Sequence, residues 1–270
     1  MVFTNSISRI FGKFASKEFS KPVQNIINRG YVKFLGLDMS DFQKPDSYKT
    51  LNKLFTRKLQ KDREFSKDNL YFISPTDSLV TQFGKIENSL ALQIKGMEYS
   101  VQKLLGDDVD KDVVSNLEGG DFMNFYLSPK DYHHYHMPYS AKVKKVTHFT
   151  GKLYPVNIKY LNKQVELFVE NERVVLECET ESGKTFFMVL VGALNVGEMV
   201  LHFEPKIETN RVGGESKIYN YQNIFIEKGE DLGFFKMGST VLILSEKDFL
   251  KPNLKVFEKV KFGQTVAEVI

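Results

Sequence analysis

The sequence predicts an α+β fold, a mostly antiparallel β body with an N-terminal helical membrane-docking segment. In the first 60 residues, apolar side chains recur every three or four positions, which is the spacing of amphipathic helices. After residue 70 the pattern changes to alternation and to short apolar runs between turn residues, which is typical of strands. The chain of 270 residues is also long enough to bury an extensive core.

Three helices are predicted in the N-terminal region. The first covers residues 3–19, the second begins after Ser20 with Pro22 in its first turn, and the third follows Asp46. Their apolar faces consist of Phe3, Ile7, Ile10, Phe11 and Phe14, of Val23, Ile26, Ile27, Tyr31 and Phe34, and of Leu51, Leu54, Phe55 and Leu59. An interfacial anchor and a small helical subdomain packed on the body both explain this pattern. We expect the first one or two helices to face lipid and the third to pack inward.

Charge is distributed unevenly along the chain. The chain has 37 basic and 34 acidic residues. Residues 1–70 hold 14 of the basic and 7 of the acidic residues, so the remainder holds 23 basic and 27 acidic residues. A basic, Phe-rich N-terminal region ahead of an acidic body indicates docking on an anionic surface, either a membrane or a nucleic acid. The basic excess lies on helices with Phe rather than on a β platform, so we expect no nucleic-acid partner.

The β body is predicted from eight short segments. Turn signals such as Glu181-Ser182-Gly183 separate them. The predicted strands are Ala91–Ile94, Phe122–Leu127, Lys142–Phe149, Val165–Phe168, Val174–Cys178, Lys184–Val191, Met199–Phe203 and Val241–Leu244. A short helix is expected at Val101–Leu105, extending toward residue 115.

Several classes of protein are excluded or disfavoured. Cys178 is the single cysteine, which excludes an internal disulfide and indicates a reducing compartment. Alternation around it predicts a buried structural residue rather than a nucleophile. No apolar stretch approaches 18 residues, so no transmembrane helix is expected, and the first residues lack the apolar core of a secretory signal.

The most informative segment is Met237-Gly238-Ser239-Thr240. A Gly-Ser bond lies between a glycine-containing approach and an apolar β-branched run, which predicts a tight turn that enters a buried strand. Such a turn can press the Ser239 hydroxyl against the Gly238 carbonyl, a geometry that permits self-cleavage of the backbone.

Two other segments carry groups capable of acid–base chemistry. Asp77 follows an apolar strand in a turn, where most aspartates only hydrogen-bond their own backbone. Three of the five histidines, His133, His134 and His136, fall within four residues. Histidine changes charge near neutral pH, so the cluster favours acid–base or metal roles. In an extended segment His134 points opposite to its two neighbours. Metal binding is the weaker alternative, because zinc needs a fourth ligand at recognisable spacing, and no metal is expected.

Taken together, these segments resemble the phosphatidylserine decarboxylase family, a pyruvoyl-dependent group of membrane-associated enzymes. The resemblance covers most of the chain. It includes Leu54–Leu59, Ser74–Asp77, Asp131–Pro138, Gly151–Asn157, Asn171–Arg173, Val191–Ala193 and Gly229–Thr240, in the family's order. The family usually has Leu before the Gly-Ser-Thr, where this chain has Met237. Leu and Met are both unbranched at Cβ and similar in volume, so we expect a competent site.

The resemblance implies a self-processing triad of Asp77, His136 and Ser239. Ser239 would attack the Gly238 carbonyl, with His136 as base and Asp77 as the group that orients the imidazole. Cleavage between Gly238 and Ser239 would give a β chain of residues 1–238 and an α chain of residues 239–270 that begins with a pyruvoyl group derived from Ser239. By the same resemblance, His133 is associated with decarboxylation, and His134 is expected to be a structural or surface residue.

The implied reaction is decarboxylation of phosphatidylserine to phosphatidylethanolamine and CO2, with the pyruvoyl ketone as electron sink. The implied partners are phosphatidylserine in an anionic membrane, the α and β chains as a heterodimer, and a homodimer of that heterodimer. We expect a peripheral protein on the cytoplasmic face of a bacterial cell membrane. Residues 1–66 would form the basic membrane-associating region and residues 67–270 the catalytic domain.

Two other functions remain open at this point. A pyruvoyl decarboxylase of a soluble amino acid would share the chemistry, although it would need no basic N-terminal anchor. A catalytically silent membrane-binding module would leave Ser239 intact.

Overall fold

The computed structural model describes residues 3–88, 90–94, 97–156, 166–194, 198–211, 214–236 and 239–270. Six α-helices and sixteen strands lie in these ranges. The helices are α1 (Phe3–Ser16), α2 (Lys21–Leu35), α3 (Leu51–Phe55), α4 (Val101–Leu105), α5 (Lys111–Ser115) and α6 (Leu167–Glu170), with a 3-10 turn at Pro45–Ser47 before α3.

The strands follow α3 and fill the rest of the chain. They are β1 (Tyr71–Ile73), β2 (Ser78–Lys85), β3 (Leu90–Ile94), β4 (Met97–Ser100), β5 (Asp121–Leu127), β6 (His134–His136), β7 (Ala141–Phe149), β8 (Arg173–Glu179), β9 (Thr185–Val191), β10 (Met199–Leu201), β11 (Lys217–Ile226), β12 (Asp231–Phe235), β13 (Ser239–Ser245), β14 (Leu250–Pro252), β15 (Lys259–Val260) and β16 (Thr265–Val269). The described part of the chain is therefore mostly β, as predicted.

The central element is an eight-stranded antiparallel sheet of order β11-β7-β8-β9-β13-β5-β2-β15. Strand β13 lies between β9 and β5, and every residue of it is buried. A strand buried on both faces reads as a continuous apolar run, which explains why Val241–Leu244 stood out in the sequence. A three-stranded sheet of order β10-β12-β6 carries two of the histidines.

The N-terminal helices begin and end at conventional signals. Helix α2 has Pro22 in its first turn and ends at Gly36, whose φ of 65° is the left-handed conformation that glycine adopts most easily. The Thr50 hydroxyl caps α3 by accepting a hydrogen bond from the Lys53 amide at 3.0 Å. Helix α3 packs inward, as predicted, because Leu51, Leu54 and Phe55 are buried.

The sequence prediction of a strand at Val165–Phe168 is wrong. Residue 165 lies outside the described residues, and Leu167 begins the short helix α6. Leu167 and Phe168 are fully buried. A short buried apolar run is compatible with a helix as well as with a strand, so the sequence pattern did not distinguish the two. The third N-terminal helix is also shorter than predicted and ends at Phe55 rather than Leu59. After the helix, Arg57 donates to the main-chain carbonyls of Lys130 and Asp131, between β5 and β6.

Strand β11 was not predicted from the sequence. Its residues are mostly exposed or half-buried on the edge of the large sheet, so its apolar residues are not confined to one face. The sequence pattern predicts only a glycine-containing approach to Ser239, whereas the structure has strand β12 there, with Gly233 inside it. A Cβ at Gly233 would collide with the Val200 carbonyl oxygen of β10, so the glycine permits close strand approach rather than a turn.

Candidate active site

Ser239 is the first residue of β13 and is fully buried. It lies opposite Leu127 of β5 in the antiparallel register. Among the described residues, its hydroxyl oxygen has no hydrogen-bond partner. An unpaired buried hydroxyl is costly, and in functional sites it often faces a reacting group. Entry of Ser239 into a buried strand is confirmed. Met237 and Gly238, and with them the predicted turn, lie outside the described residues.

His133 is a neutral histidine with one free ring nitrogen. Its Nδ1 lies 2.8 Å from the carbonyl oxygen of Asp131. A carbonyl only accepts, so the proton is on Nδ1 and Nε2 carries the lone pair. Within the described chain, Nε2 is buried without a partner. The imidazole packs against the ring of Phe55 at 3.9 Å between centroids, and burial lowers the pKa of His133 to about 3.

His136 has the same tautomer but different surroundings. Its Nδ1–H donates to the Gly229 carbonyl oxygen at 2.9 Å, which leaves Nε2 to accept from the Tyr132 hydroxyl at 3.0 Å. Its imidazole stacks on the Phe262 ring. Burial lowers the pKa of His136 to about 4, so the side chain is an uncharged acceptor at neutral pH.

Asp77 lies in the turn between β1 and β2 and is bound by two residues. Both terminal nitrogens of Arg63 contact its carboxylate, and the Phe262 main-chain amide donates to Oδ1 at 2.8 Å. Arg63 also donates to Asp41 at 2.9 Å, so one guanidinium bridges two carboxylates.

The predicted site residues are therefore only partly brought together. Phe262 joins two of them, because its amide binds Asp77 while its ring covers His136. Across the described residues, no hydrogen bond joins Asp77, His136 and Ser239 directly. His133 lies on the other face of its chain segment from His136, and its carbonyl accepts from the Phe235 amide at 3.0 Å, near the start of the Gly-Ser segment.

His134 is buried and hydrogen-bonded to Asp231 rather than a surface residue. Its Nδ1 lies 2.9 Å from Asp231, and its Nε2 lies 3.3 Å from the Thr56 carbonyl oxygen. His202 approaches the same carboxylate at 3.4 Å. Ligand atoms of His134, His202 and Asp231 lie within 4.8 Å of one another, so these three could hold a metal ion.

Four residues of the site were missed in the sequence. Arg57, Arg63, Tyr132 and Phe262 surround the predicted residues. Arg57 and Tyr132 lie beside phenylalanines and histidines that were singled out, but nothing in the local pattern distinguishes a buried arginine or tyrosine from an exposed one. Arg57, Arg63 and Tyr132 line a cavity of about 430 Å³ that Asp77 also borders.

Comparison with known proteins decides the family. The family model for phosphatidylserine decarboxylase matches residues 51–268. The phosphatidylserine decarboxylase proenzyme of Campylobacter jejuni is 43% identical over 272 residues, which covers 99% of this chain and 100% of the relative. The chain belongs to the phosphatidylserine decarboxylase family. Proenzymes of the same name from Helicobacter pylori and Shewanella loihica are 42% and 38% identical, over 99% and 91% of this chain and 98% and 87% of each relative.

The residues of this family member fit a pyruvoyl group derived from Ser239. The serine lies at a strand start among buried side chains, and its hydroxyl has no partner in the described structure. Within the described ranges, the neutral Nε2 of His133 and the hydroxyl of Thr240 are also buried without a hydrogen-bond partner. The group would thus be shielded from bulk water.

No helix in the described ranges has both the length and the apolar character needed to cross a bilayer. Helices α1 and α2 nevertheless expose large apolar side chains. These are Ile10, Phe14, Val23, Ile26 and Phe34.

Proposed function

We propose that this chain is a proenzyme that cleaves itself between Gly238 and Ser239 and then decarboxylates phosphatidylserine to phosphatidylethanolamine and CO2. Membership of the family carries the reaction class. The observation that supports the site is the fully buried Ser239 hydroxyl, which has no partner among the described residues at the start of β13.

Self-cleavage would begin with attack of the Ser239 Oγ on the Gly238 carbonyl carbon. The hydroxyl proton goes to a base, the peptide C–N bond breaks, and an ester joins Gly238 to the Ser239 side chain. Loss of the Ser239 α-proton then expels residues 1–238 as a carboxylate and leaves a dehydroalanine. Addition of water releases ammonia and yields the pyruvoyl group at the start of residues 239–270.

His136 is the proposed base for this step. A neutral imidazole with its lone pair on Nε2 can accept a proton, and the Gly229 carbonyl that binds Nδ1–H would stabilise the imidazolium formed. The Tyr132 hydroxyl must leave Nε2 before the serine proton can reach it. Burial lowers the pKa of His136, and the hydrogen bond to Gly229 and the negative charges of Asp231 and Asp77 offset part of this lowering.

In the decarboxylation step, the pyruvoyl carbonyl would supply an electron sink for the carbanion left when CO2 departs. The chain's own contribution is the surroundings. His133 offers a neutral, desolvated Nε2 that can hold or deliver a proton, and Phe55 keeps water from the imidazole.

Membrane docking is proposed through α1 and α2. Ile26 and Phe34 of α2 are 73% and 88% exposed, and basic residues lie on the same helix. Exposed apolar side chains next to lysine and arginine suit an anionic bilayer surface, where the substrate lies. The cytoplasmic face of a bacterial membrane, the boundary at residues 66 and 67, the heterodimer of α and β chains and its homodimer remain predictions.

Intact-mass spectrometry of the purified protein tests the proposal. We expect loss of the 31.1 kDa species and a fragment of residues 239–270 that is blocked at its N-terminus and reactive to hydrazines. Ser239→Ala should abolish both cleavage and decarboxylation. Intact wild-type protein that still decarboxylates the lipid would exclude the pyruvoyl mechanism, and serine as a better substrate than the lipid would favour the soluble amino-acid alternative.

A further inference from the structure

Arg57 is almost completely buried although its side chain carries a positive charge. The residue is 2% exposed, and its guanidinium lies 4.4 Å from the centre of the Phe42 ring. One terminal nitrogen, Nη2, donates to the carbonyl oxygens of Lys130 and Asp131, at 2.7 and 3.2 Å. In the described structure, Nε and Nη1 are buried without any partner. A buried cation with two unpaired N–H groups is costly unless a ligand completes it.

A second unpaired group borders the same space. The Ser78 hydroxyl is buried, and no described residue bonds to it. Arg57 and Ser78 both line the cavity of about 430 Å³, whose rim also carries Lys130 and Lys259. Other charged lining groups are already engaged. Arg63 binds Asp41 and Asp77, and the Asp131 carboxylate accepts from the amide and the hydroxyl of Ser128.

We propose that Arg57 and Ser78 form a binding site for the phosphate of the substrate headgroup, an inference that rests on the proposed function. An arginine with free N–H donors and a hydroxyl at the wall of one cavity are the donors that phosphate oxygens accept from.

The position of the site suits the length of the headgroup. Leu79 of β2 and Thr240 of β13 both lie opposite Tyr126 of the intervening β5. Ser78 and Ser239 therefore start two strands that flank β5, about 10 Å apart from each other. In a serine phosphodiester, four bonds of about 1.5 Å separate phosphorus from the amine nitrogen. With a hydrogen bond at the phosphate end, the headgroup spans the gap between Ser78 and Ser239.

Chemistry favours the phosphate over the carboxylate as the ligand of Arg57. The carboxylate loses its charge as CO2 forms, so a charge-assisted bond to it would stabilise the substrate more than the transition state. The phosphate keeps its charge throughout, and binding energy from this unreactive part of the substrate can orient the part that reacts. The carboxylate would then lie near the neutral His133.

The test uses the full-length chain with Ser239→Ala, which stays uncleaved, and glycerophosphoserine as probe. Its dissociation constant is measured by ³¹P NMR titration. We expect Ser78→Ala and Arg57→Lys to weaken binding about tenfold or more, as expected for lost hydrogen bonds to a charged group. Inorganic phosphate should compete with the probe, and serine without phosphate should not.

Thr81→Val is the matched control. Thr81 lies on the same strand and also has a buried hydroxyl with no partner in the described residues, but it does not line the cavity. This variant should bind the probe normally. Ser78→Ala removes only an unpaired hydroxyl, so this variant should fold as well as the parent chain. It therefore still tests the phosphate site if the Arg57→Lys variant does not fold.

Unchanged binding in Ser78→Ala and in any folded Arg57→Lys would overturn the phosphate site, as would binding of inorganic phosphate without binding of glycerophosphoserine. Self-cleavage separates this failure from that of the proposed function. A chain that has Ser239 and carries Ser78→Ala should still cleave, with a raised KM for phosphatidylserine vesicles. If the wild-type chain fails to cleave, the proposed function fails, and the titration remains a separate measurement.

Discussion

The imidazole of His136 stacks on the ring of Phe262, with 3.5 Å between centroids and 13° between planes. This contact keeps water from the ring, and burial lowers the pKa of His136 to about 4. The Phe262 amide binds Asp77 at the same time. One residue near the C-terminus therefore sets the environment of the two side chains proposed to activate Ser239.

Replacing Phe262 by leucine should change the pH dependence of self-cleavage. Loss of the stacked ring admits water and raises the pKa of His136 toward about 6.5, so the histidine becomes protonated at mildly acidic pH. Cleavage should then be slower than in wild type at pH 5 to 6 and nearly equal at pH 8, as followed by intact mass. Phe262→Tyr keeps a stacked ring and serves as control. Equal pH profiles for the Phe262→Leu variant and the wild-type chain would contradict this role of the Phe262 ring.

His133 and His136 should have separable functions, because they lie on opposite faces of their segment. His136→Asn should block cleavage. His133→Asn should leave cleavage intact and reduce decarboxylation about 100-fold or more, the usual contribution of an acid–base group. The two activities are measured by mass spectrometry and by CO2 release. Loss of cleavage in a folded His133→Asn protein would argue against two separate roles.

Stability should fall on acidification. The folded pKa values of His133 and His136, about 3 and about 4, lie below the value of about 6.5 for an exposed histidine. Between these pKa values the unfolded chain binds more protons than the folded chain, so the free energy of unfolding rises with pH. This stability is lost as the pH falls from about 6.5 toward 4. The loss should be on the order of a few kcal/mol.

Thermal unfolding of the uncleaved Ser239→Ala chain at a series of pH values checks this. Adding His133→Asn should make the decline of the melting temperature between pH 6.5 and 4.5 less steep. Parallel curves with and without His133 would show that this histidine does not contribute to the acid sensitivity.

Two neighbouring isoleucines in α2 test the membrane face. Ile26 is exposed, whereas Ile27 packs against the cluster that contains Leu51 and Leu54. Ile26→Ser should reduce binding to anionic vesicles about tenfold and change the free energy of unfolding by less than about 0.5 kcal/mol. Ile27→Ser should lower stability by about 2 kcal/mol. Vesicle sedimentation and thermal unfolding measure the two effects, and unchanged sedimentation of Ile26→Ser would exclude this face of α2.

Much of the β body could be predicted because its signals are local. Seven of the eight predicted strands overlap observed ones, since alternation and β-branched runs record which faces are buried. Val165–Phe168 failed because an apolar run of four residues is compatible with a buried helical turn. The edge strand β11 was missed because it has no consistently buried face.

The sequence by itself determined the family and indicated which residues are proposed to carry the chemistry. Resemblance across seven segments selected Asp77, His133, His136 and Ser239, and comparison with known proteins established the family. The alternation of the histidine block also indicated that its members do not share one face.

Only the tertiary structure decided the protonation and the partners of these groups. The tautomers of His133 and His136 depend on carbonyl groups of Asp131 and Gly229, and the second of these is 93 residues away in the chain. The lowered pKa values depend on burial by Phe55 and Phe262, which come from opposite ends of the chain. Desolvation and hydrogen bonding are set by whatever packs against a side chain, so no local pattern can encode them.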